Sequence, residues 1–292
     1  LTVSDELCDR MYIWYAISSR VEDLVKKGTG STFKAINKAT LAEQDIPLPS
    51  IEEQRRIATV LDKASGLIAL RKRQLELLDE LVKARFIEMF GDPVTNPMGW
   101  PILSLGQLGE FKNGLNFRSN DNGYTLLILG VSDFQSKTTL SDFEGVKSVS
   151  LNVKPNEDYY LANGDIVFVR SNGNKNLVGR SILVYPGNLA VTFSGFCIRF
   201  RLLKANISAV YINFLLHNKS AKARLLFDGR GANIINLNQE MLSRQEIPIP
   251  PYKRQIEFAE FVEKTDQLRL EMLRGLDTMG TSYNALFQEY FG

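Results

Sequence analysis

Ile46-Pro47-Leu48-Pro49-Ser50-Ile51-Glu52-Glu53-Gln54-Arg55-Arg56-Ile57 changes backbone regime once, and the rest of the chain is organised around that change. Proline has no N–H to donate and pushes the preceding residue toward extended dihedrals, so Ile46–Pro49 is extended and not helical. Ser50 then reads as an N-cap, with Glu53 three residues on closing a capping box and Glu52 and Glu53 meeting the positive end of the helix dipole. The spacing predicts a helix from Ile51 to about Phe90. Ile57, Leu61, Ala64, Ile68, Arg71, Leu75, Leu78, Val82, Arg85 and Met89 alternate steps of four and three, which is a heptad seam broken by two arginines. Val60, Leu67 and Leu81 widen the stripe and predict contact with more than one neighbour. At 1.5 Å per residue the run from Ile57 to Met89 is about 50 Å long, too long to be housed in one compact domain. It is expected to be a strut.

The same grammar recurs 201 residues later. Gly28 to Gly91 aligns without a gap on Gly229 to Gly292, and 19 of the 64 pairs are identical. Ile247-Pro248-Ile249-Pro250 repeats the proline segment, Gln255 repeats Gln54, and both copies end in Phe-x-x-x-Phe-Gly, at Gly91 and Gly292. Ahead of them Tyr12-Ile13 corresponds to Tyr211-Ile212 if two residues are inserted, so a short helix precedes each copy. The second seam runs through Phe258, Val262, Thr265, Arg269, Met272, Leu276, Met279, Tyr283, Leu286 and Tyr290, flanked by Phe261 and Leu268. Gly275 and Gly280 each weaken that helix by about 1 kcal/mol relative to alanine. Two struts in one chain are most simply satisfied by packing on each other, and the return of the chain through a whole domain favours an antiparallel pair.

Between the struts the chain changes character. Gly91-Asp92-Pro93 and Asn96-Pro97-Met98-Gly99-Trp100-Pro101 form a stop and linker. Short β-type runs follow at Thr125–Val131, Ile166–Arg170, Arg180–Tyr185 and Phe196–Phe200, and helix is expected to return continuously over Ala209–Leu226. The expected fold class is α+β: a β-rich domain with flanking helices plus two long antiparallel helices forming a coiled-coil spacer. The divisions fall at 1–45, 46–92, 93–246 and 247–292.

Composition narrows the function. The net charge of the 292 residues is +2, but Gly99–Asp228 holds 14 Lys and Arg against 9 Asp and Glu, so positive charge is concentrated in the middle domain and favours a polyanion there. Two cysteines, Cys8 and Cys197, and one histidine, His217, offer neither a zinc set nor a disulfide framework. No run of about 18 apolar residues offers a membrane span, and the expected location is the cytoplasm. There is no phosphate-binding Gly-x-x-x-x-Gly-Lys-Ser/Thr loop, no Gly-x-Gly-x-x-Gly after a strand, no His-Glu-x-x-His and no Gly-x-Ser-x-Gly. Asn96-Pro97-Met98 matches only part of the Asn-Pro-Pro-aromatic motif of adenine methyltransferases and reads as linker. Asp165 reads as a turn residue before a strand, and His217 as structural within its helix. No catalytic residue, no metal ligand and no cofactor site is expected.

Two polar, basic loops carry the best binding chemistry. Lys112, Asn113, Asn116 and Arg118 lie in the first; Arg170, Asn172, Asn174, Lys175 and Arg180 lie in the second. Arginine can pair bidentately with guanine and asparagine with adenine, while lysine holds phosphate. Asn and Gly clusters are equally what tight turns need, so both readings stand at this level. Tyr159, Tyr160 and the Phe193-Ser194-Gly195 turn suit core packing as well as a binding surface. The seam residues Ile57, Leu61, Ile68, Leu75, Leu78, Val82, Phe258, Val262, Met272, Leu276, Tyr283 and Leu286 are the expected spacer and partner interface.

Taken together, the Gly-Trp opening of the β-rich domain, the Gly229-Arg230-Gly231 loop, the duplicated Ile-Pro-hydrophobic-Pro, Glu53-Gln54-Arg55-Arg56-Ile57 or Lys253-Arg254-Gln255-Ile256, and the terminal Phe-x-x-x-Phe-Gly resemble the specificity subunit of type I restriction-modification systems. The resemblance covers nearly the whole chain and implies a subunit without catalytic activity. It implies target recognition domains that each read one half of an interrupted site in double-stranded DNA, held apart by the two helices. Trp100 to about Asp228 matches the second such domain and residues 1–45 only the tail of a first. The resemblance further implies methyltransferase subunits that bind S-adenosylmethionine and a motor-nuclease subunit that uses ATP and magnesium, so the cofactors belong to the partners. Methyltransferase contacts are expected on the exposed helix sides around Arg71–Arg85 and at the proline junctions. A second recognition domain would come from a longer chain, from another specificity chain or from self-association. The rival readings are a stand-alone nuclease or methyltransferase acting on DNA, and a coiled-coil adaptor that binds protein.

Overall fold

The computed structural model describes residues 7–27, 36–117, 122–134, 138–226 and 236–292. The chain forms two compact units, one of Leu1–Glu80 with Thr265–Gly292 and the other of Leu81–Lys264. The helices in chain order are α1 (Arg10–Ser19), α2 (Val21–Lys27), α3 (Lys38–Ala42), α4 (Ile51–Phe90), α5 (Leu105–Leu108), α6 (Ala209–His217), α7 (Lys219–Leu225), α8 (Gln239–Ser243) and α9 (Tyr252–Phe291). The strands are β1 (Ile102–Ser104), β2 (Gly109–Asn113), β3 (Tyr124–Leu129), β4 (Thr139–Leu140), β5 (Ser148–Leu151), β6 (Asp165–Val169), β7 (Ser181–Val184), β8 (Val191–Phe193), β9 (Cys197–Leu202) and β10 (Glu246–Pro248).

In the first unit, Asp9 caps α1 by accepting from the N–H groups of Met11 and Tyr12 at 3.0 and 2.9 Å. That fixes the helix so that Tyr12, Tyr15 and Ala16 bury against Ile57, Ala58 and Leu61 near the start of α4. Phe291, Phe287 and Tyr283 from the end of α9 complete the core, with the Tyr12 and Phe291 rings 5.3 Å apart. The start of α4 therefore meets the end of α9, as an antiparallel pair requires. The polar break in the second seam has a partner: Arg269 forms an ion pair with Asp79.

In the second unit the same antiparallel sense appears from the other ends. Val82, Phe86 and Phe90 of α4 pack on Phe258 and Val262 of α9, with the Phe86 and Phe258 rings 5.4 Å apart. Arg85, the other polar break on this side, lies over the Phe261 ring at 6.0 Å. All ten seam positions on each helix are buried or half-buried. The widening residues behave differently: Leu67, Leu81 and Leu268 are exposed, because the partner helix covers only the narrow stripe. Val60 and Phe261 are half-buried.

The β-rich part has a five-stranded sheet in the order β2-β9-β6-β7-β4, a three-stranded sheet β5-β3-β8, and the pair β1-β10. β6 explains how the two layers are held. Successive side chains on a strand point to opposite faces; Ile166 and Phe168 enter the core shared with α6 and the helix ends, while Val167 and Val169 enter the core shared with β3 and β8. A strand covered on both faces reads as a continuous apolar run, as Ile166–Val169 does. Asp165, expected as a turn residue before a strand, closes the Asn163-Gly164 turn with its N–H donating to the Ala162 carbonyl at 3.1 Å, and is also the first, buried residue of β6. It accepts two bonds from Arg201 of β9, at 2.8 and 2.7 Å, and one from the Ala162 N–H at 2.7 Å.

The helix expected over Ala209–Leu226 is broken. Asn218 has ψ 136°, outside helical space, and its side chain accepts from the N–H of Ser220, so it ends α6 and caps α7. His217, the last residue of α6, has Nδ1 2.8 Å from the Asn213 carbonyl oxygen, and burial holds its imidazole below the ordinary value.

The sequence repeat becomes a repeated junction. Tyr12 Oη donates to the Pro47 carbonyl at 2.7 Å, and Tyr211 Oη donates to the Pro248 carbonyl at 2.7 Å. Gln54 Oε1 accepts from the Asp9 N–H at 2.9 Å and its amide donates to the Pro49 carbonyl at 2.8 Å; Gln255 Oε1 accepts from the Ser208 N–H at 2.8 Å and its amide donates to the Pro250 carbonyl at 2.8 Å. Both glutamines are fully buried. Phe291 packs on Tyr12 in the first junction and Phe90 on Tyr211 in the second, so each junction is closed by the terminal phenylalanine of the opposite copy.

Candidate nucleic-acid interface

Strand order decides where the two basic loops go. β2 ends at Asn113 opposite Ile198 near the start of β9, β6 ends at Val169 opposite Cys197, and Phe168 faces Ser181 at the start of β7. The loop after β2 and the loop between β6 and β7 therefore leave the same end of the five-stranded sheet, although 57 positions separate Asn113 from Arg170. Pairing continues past the strand ends: Leu115 bridges Ser194, Gly195 N–H donates to the Leu115 carbonyl at 2.7 Å, and Arg170 N–H donates to the Phe196 carbonyl at 2.8 Å. Ser171 bridges Asn236, and the Leu237 N–H donates to the Arg170 carbonyl at 2.9 Å.

Two glycines permit this close approach. A Cβ on Gly114 would fall 2.1 Å from the Ser194 carbonyl oxygen, and one on Gly195 would fall 2.1 Å from Asn116 Oδ1. No residue with a side chain fits either place without moving backbone or displacing Asn116.

The asparagines of the second loop shape it. Asn172 Oδ1 accepts from the Asn174 N–H at 2.8 Å and Asn174 Oδ1 accepts from the Asn176 N–H at 3.0 Å, two successive Asx turns that engage the amide oxygens. Helix α7 braces the loop from behind: Lys222 Nζ donates to the Asn176 carbonyl at 3.3 Å, and Leu226 lies 3.2 Å from where a Cβ on Gly179 would stand. Gly179 has φ +75°, a conformation glycine adopts without strain. Arg180 closes the loop onto β6 through its carbonyl, which accepts from the Val169 N–H at 2.8 Å. The half-buried Arg170 side chain makes no hydrogen bond or ion pair among the described residues.

Lys112 does not lie in a loop. It is the fourth residue of β2, its ammonium pairs with Asp158, and it stands 4.1 Å from the centre of the Tyr159 ring. That ammonium in turn holds the Asp158 carboxyl below its usual range. Behind it, the buried Arg199 donates to the Asp158 carbonyl at 2.7 Å and to Glu110 at 3.0 Å. Asn113 and Asn116 are exposed at the sheet end; Arg118 lies outside the described residues. Two exposed aromatics that are not among the expected contacts also stand here, Phe117 at 43% and Phe196 at 61% exposure. The available signal was an aromatic directly following a small or polar turn residue, in Asn116-Phe117 and Gly195-Phe196.

Among the described residues no three His, Cys, Asp or Glu side chains come together as a metal site, and no helix is long and apolar enough to cross a membrane. Burial pushes the Cys197 thiol up to about 12, far from a reactive thiolate.

Comparison with known proteins gives one consistent answer. The family profile described as type I restriction modification DNA specificity domain matches residues 1–80 and 97–277. A type I restriction enzyme StySPI specificity subunit from Salmonella potsdam is 29% identical over 257 residues, covering 82% of this chain and 53% of that protein. The MjaIX specificity subunit of Methanocaldococcus jannaschii is 34% identical over 122 residues, covering 36% of this chain and 28% of that protein. A crystal structure of the type I restriction-modification S subunit from M. genitalium superposes with a TM-score of 0.61 at 17% identity, covering 99% of this chain and 74% of that one. The chain spans about half the length of the StySPI subunit and less of the MjaIX subunit.

Proposed function

Because the chain belongs to the type I restriction modification DNA specificity family, we propose that it is a non-catalytic, sequence-reading component of such a system. In this reading residues 93–246 form a recognition domain for one half of a bipartite site in double-stranded DNA, and 1–45 is the tail of another. The segments 46–92 and 247–292 form the spacer that sets the distance between the reading heads. The observation that carries it is the convergence of the two basic loops at one end of the sheet, with Arg170, Asn113 and Asn116 presented together. Arg170, Asn172, Asn174, Lys175, Arg180, Asn113, Asn116 and Arg118 are its DNA contacts. Lys112, already paired with Asp158, contributes through the field of the domain more than by direct contact. Methyltransferase subunits and a motor-nuclease subunit are the partners, and they supply the chemistry.

The test is binding of the purified chain to a random-sequence duplex pool, followed by affinity measurement on the enriched sequence across salt concentrations. The expected result is an enriched half-site, and Arg170→Ala that either relaxes one position or lowers the salt slope by about one. No enrichment by the chain, alone or with a modification subunit, overturns the reading. Cleavage with magnesium alone, or methyl transfer with S-adenosylmethionine alone, would establish the enzyme alternative instead.

A further inference from the structure

Phe196 is exposed although the protein has had every opportunity to bury it. Its neighbours Cys197 and Phe193 are fully buried in the domain core, while the ring between the Ser194-Gly195 turn and β9 stands 61% exposed. The backbone that carries it is held on three sides. Phe196 N–H donates to Ser194 Oγ at 3.3 Å, its carbonyl accepts from the Arg170 N–H at 2.8 Å, and Gly195 is locked against Leu115 and Asn116. Leu115 bridges Ser194 in parallel, so Phe117, itself 43% exposed, stands two residues past the bridge just as Phe196 does. These bonds hold the turn and the ring is offered outward, next in line to Arg170 and beside Asn116.

From this geometry, and resting on the DNA-reading role proposed above, we propose that Phe196 is a specificity-determining residue that contacts the 5-methyl group of a thymine in the major groove, with Phe117 supporting it. Duplex DNA presents one apolar group on its major-groove base edges, the thymine methyl, and an aromatic ring is among the side chains that read it. The surrounding groups favour this groove. Arg170 and Asn116 are side chains that discriminate guanine and adenine by bidentate pairing, which the major groove permits and the minor groove does not. An apolar pad fixed between such donors reads the remaining feature of an A·T pair without needing a polar partner of its own.

The experiment compares the full chain with Phe196→Ala and Phe196→Leu, each put through selection from a random-sequence duplex pool and then titrated on the enriched duplex. The ring is exposed, so far-UV circular dichroism and the unfolding midpoint of both variants are expected to match the parent. Phe196→Ala is expected to lose preference at a single thymine-bearing position and to bind the parental sequence about 5- to 30-fold more weakly, in line with the cost of one mismatched pair. Phe196→Leu, still apolar, is expected to retain the preference. Replacing that thymine by uracil removes only the methyl group. It should weaken the parent to the same degree and leave Phe196→Ala unchanged. An unaltered consensus with Phe196→Ala, a loss spread evenly over all positions, or indifference of the parent to uracil overturns the proposal. A rise in fluorescence from 2-aminopurine beside the position would mean that the ring unstacks bases, and would also overturn it. If the parent enriches a sequence and Arg170→Ala relaxes it while Phe196→Ala does not, only this inference fails. If the parent enriches nothing, the DNA-reading role fails with it.

Discussion

Replacing Gln255 by alanine tests whether the duplicated junction holds the second unit together. The side chain is fully buried and bonds two groups that no other described residue serves: the N–H of Ser208, which caps α6, and the carbonyl of Pro250, which precedes α9. Each stranded buried group costs about 1–3 kcal/mol, so the variant should lose about 2–6 kcal/mol. For a unit of this size each kcal/mol lowers Tm by roughly 2–4 °C. A fall of roughly 5–20 °C is expected by circular dichroism, with a matching drop in the urea midpoint. Hydrogen exchange should accelerate first at Ile212, whose N–H bonds the Ser208 carbonyl at 3.1 Å. Gln54→Ala should show a smaller loss, because the bonds that Gln54 makes to Asp9, Leu7 and Pro49 are only partly buried and water can replace some of them. A loss below about 1 kcal/mol for Gln255→Ala, with unchanged exchange at Ile212, would refute the claim that this glutamine locks α6 to the proline segment.

Asp165→Asn leaves the Arg201 guanidinium without its carboxylate and should cost up to about 3–5 kcal/mol, toward the low end because Arg201 is about a quarter exposed, whereas Asp165→Leu combined with Arg201→Met should recover most of it in urea unfolding. Leu61 is fully buried and Leu70 is 63% exposed; Leu61→Ala should cost about 2–5 kcal/mol and Leu70→Ala less than about 0.5, and equal effects would contradict the seam. His217 is held neutral by burial, with Lys222, Arg180 and Lys83 adding to the effect, so the unfolded chain takes up the proton first as pH falls. Its contribution to stability should be constant well above the ordinary value of 6.5 and decline as pH drops below it, and His217→Gln should remove that slope between pH 7 and 5 in chemical denaturation.

The two long helices were legible because burial along them follows a single period. Each seam residue from Ile57 to Met89 and from Phe258 to Tyr290 is covered, and the chemistry that ends each run, Pro-x-Pro before and Phe-Gly after, is local in sequence. Leu67, Leu81 and Leu268 misled because hydrophobicity alone does not say whether a second neighbour exists. The break at Asn218 was hidden because apolar spacing continues across it, from Leu215 and Leu216 to Ala221 and Leu225, while the cap is one side chain. Asp165 is legible as the residue that closes a turn before a strand, but its ion pair is not, because Arg201 is 36 positions away and two strands must pair before they meet. The site was half legible. Residue chemistry marked the two loops, but their convergence depends on the order β2-β9-β6-β7, in which β9 sits between strands that precede it in the chain, and no local pattern encodes that. Lys112 and Phe196 show the consequence: one reads as a loop residue but lies in β2 paired with Asp158, and the other reads as the start of a strand but is presented by its turn.

The junctions also separate a structural frame from the sheet-end loops that are proposed to read DNA. The hydrogen bonds and ring contacts of the second junction join groups of the repeated segments and the short helix before them: Tyr211 and its cap Ser208, Pro248 and Pro250 of the proline segment, Gln255 and Phe258 from the start of α9, Phe86 and Phe90 from the end of α4. Trp100, at the entrance of the β-rich part, adds only a bond from its indole N–H to the Phe90 carbonyl at 3.1 Å and a surface for Arg254. None of these groups lies in the loops at the sheet end. Substitutions at Arg170, Asn116 or Phe196 should therefore change what is bound while leaving the unfolding free energy within about 0.5 kcal/mol of the parent, and substitutions at Tyr211 or Gln255 should do the reverse. A variant of the sheet-end loops that shifted stability by several kcal/mol would show that loops and frame share their energetics.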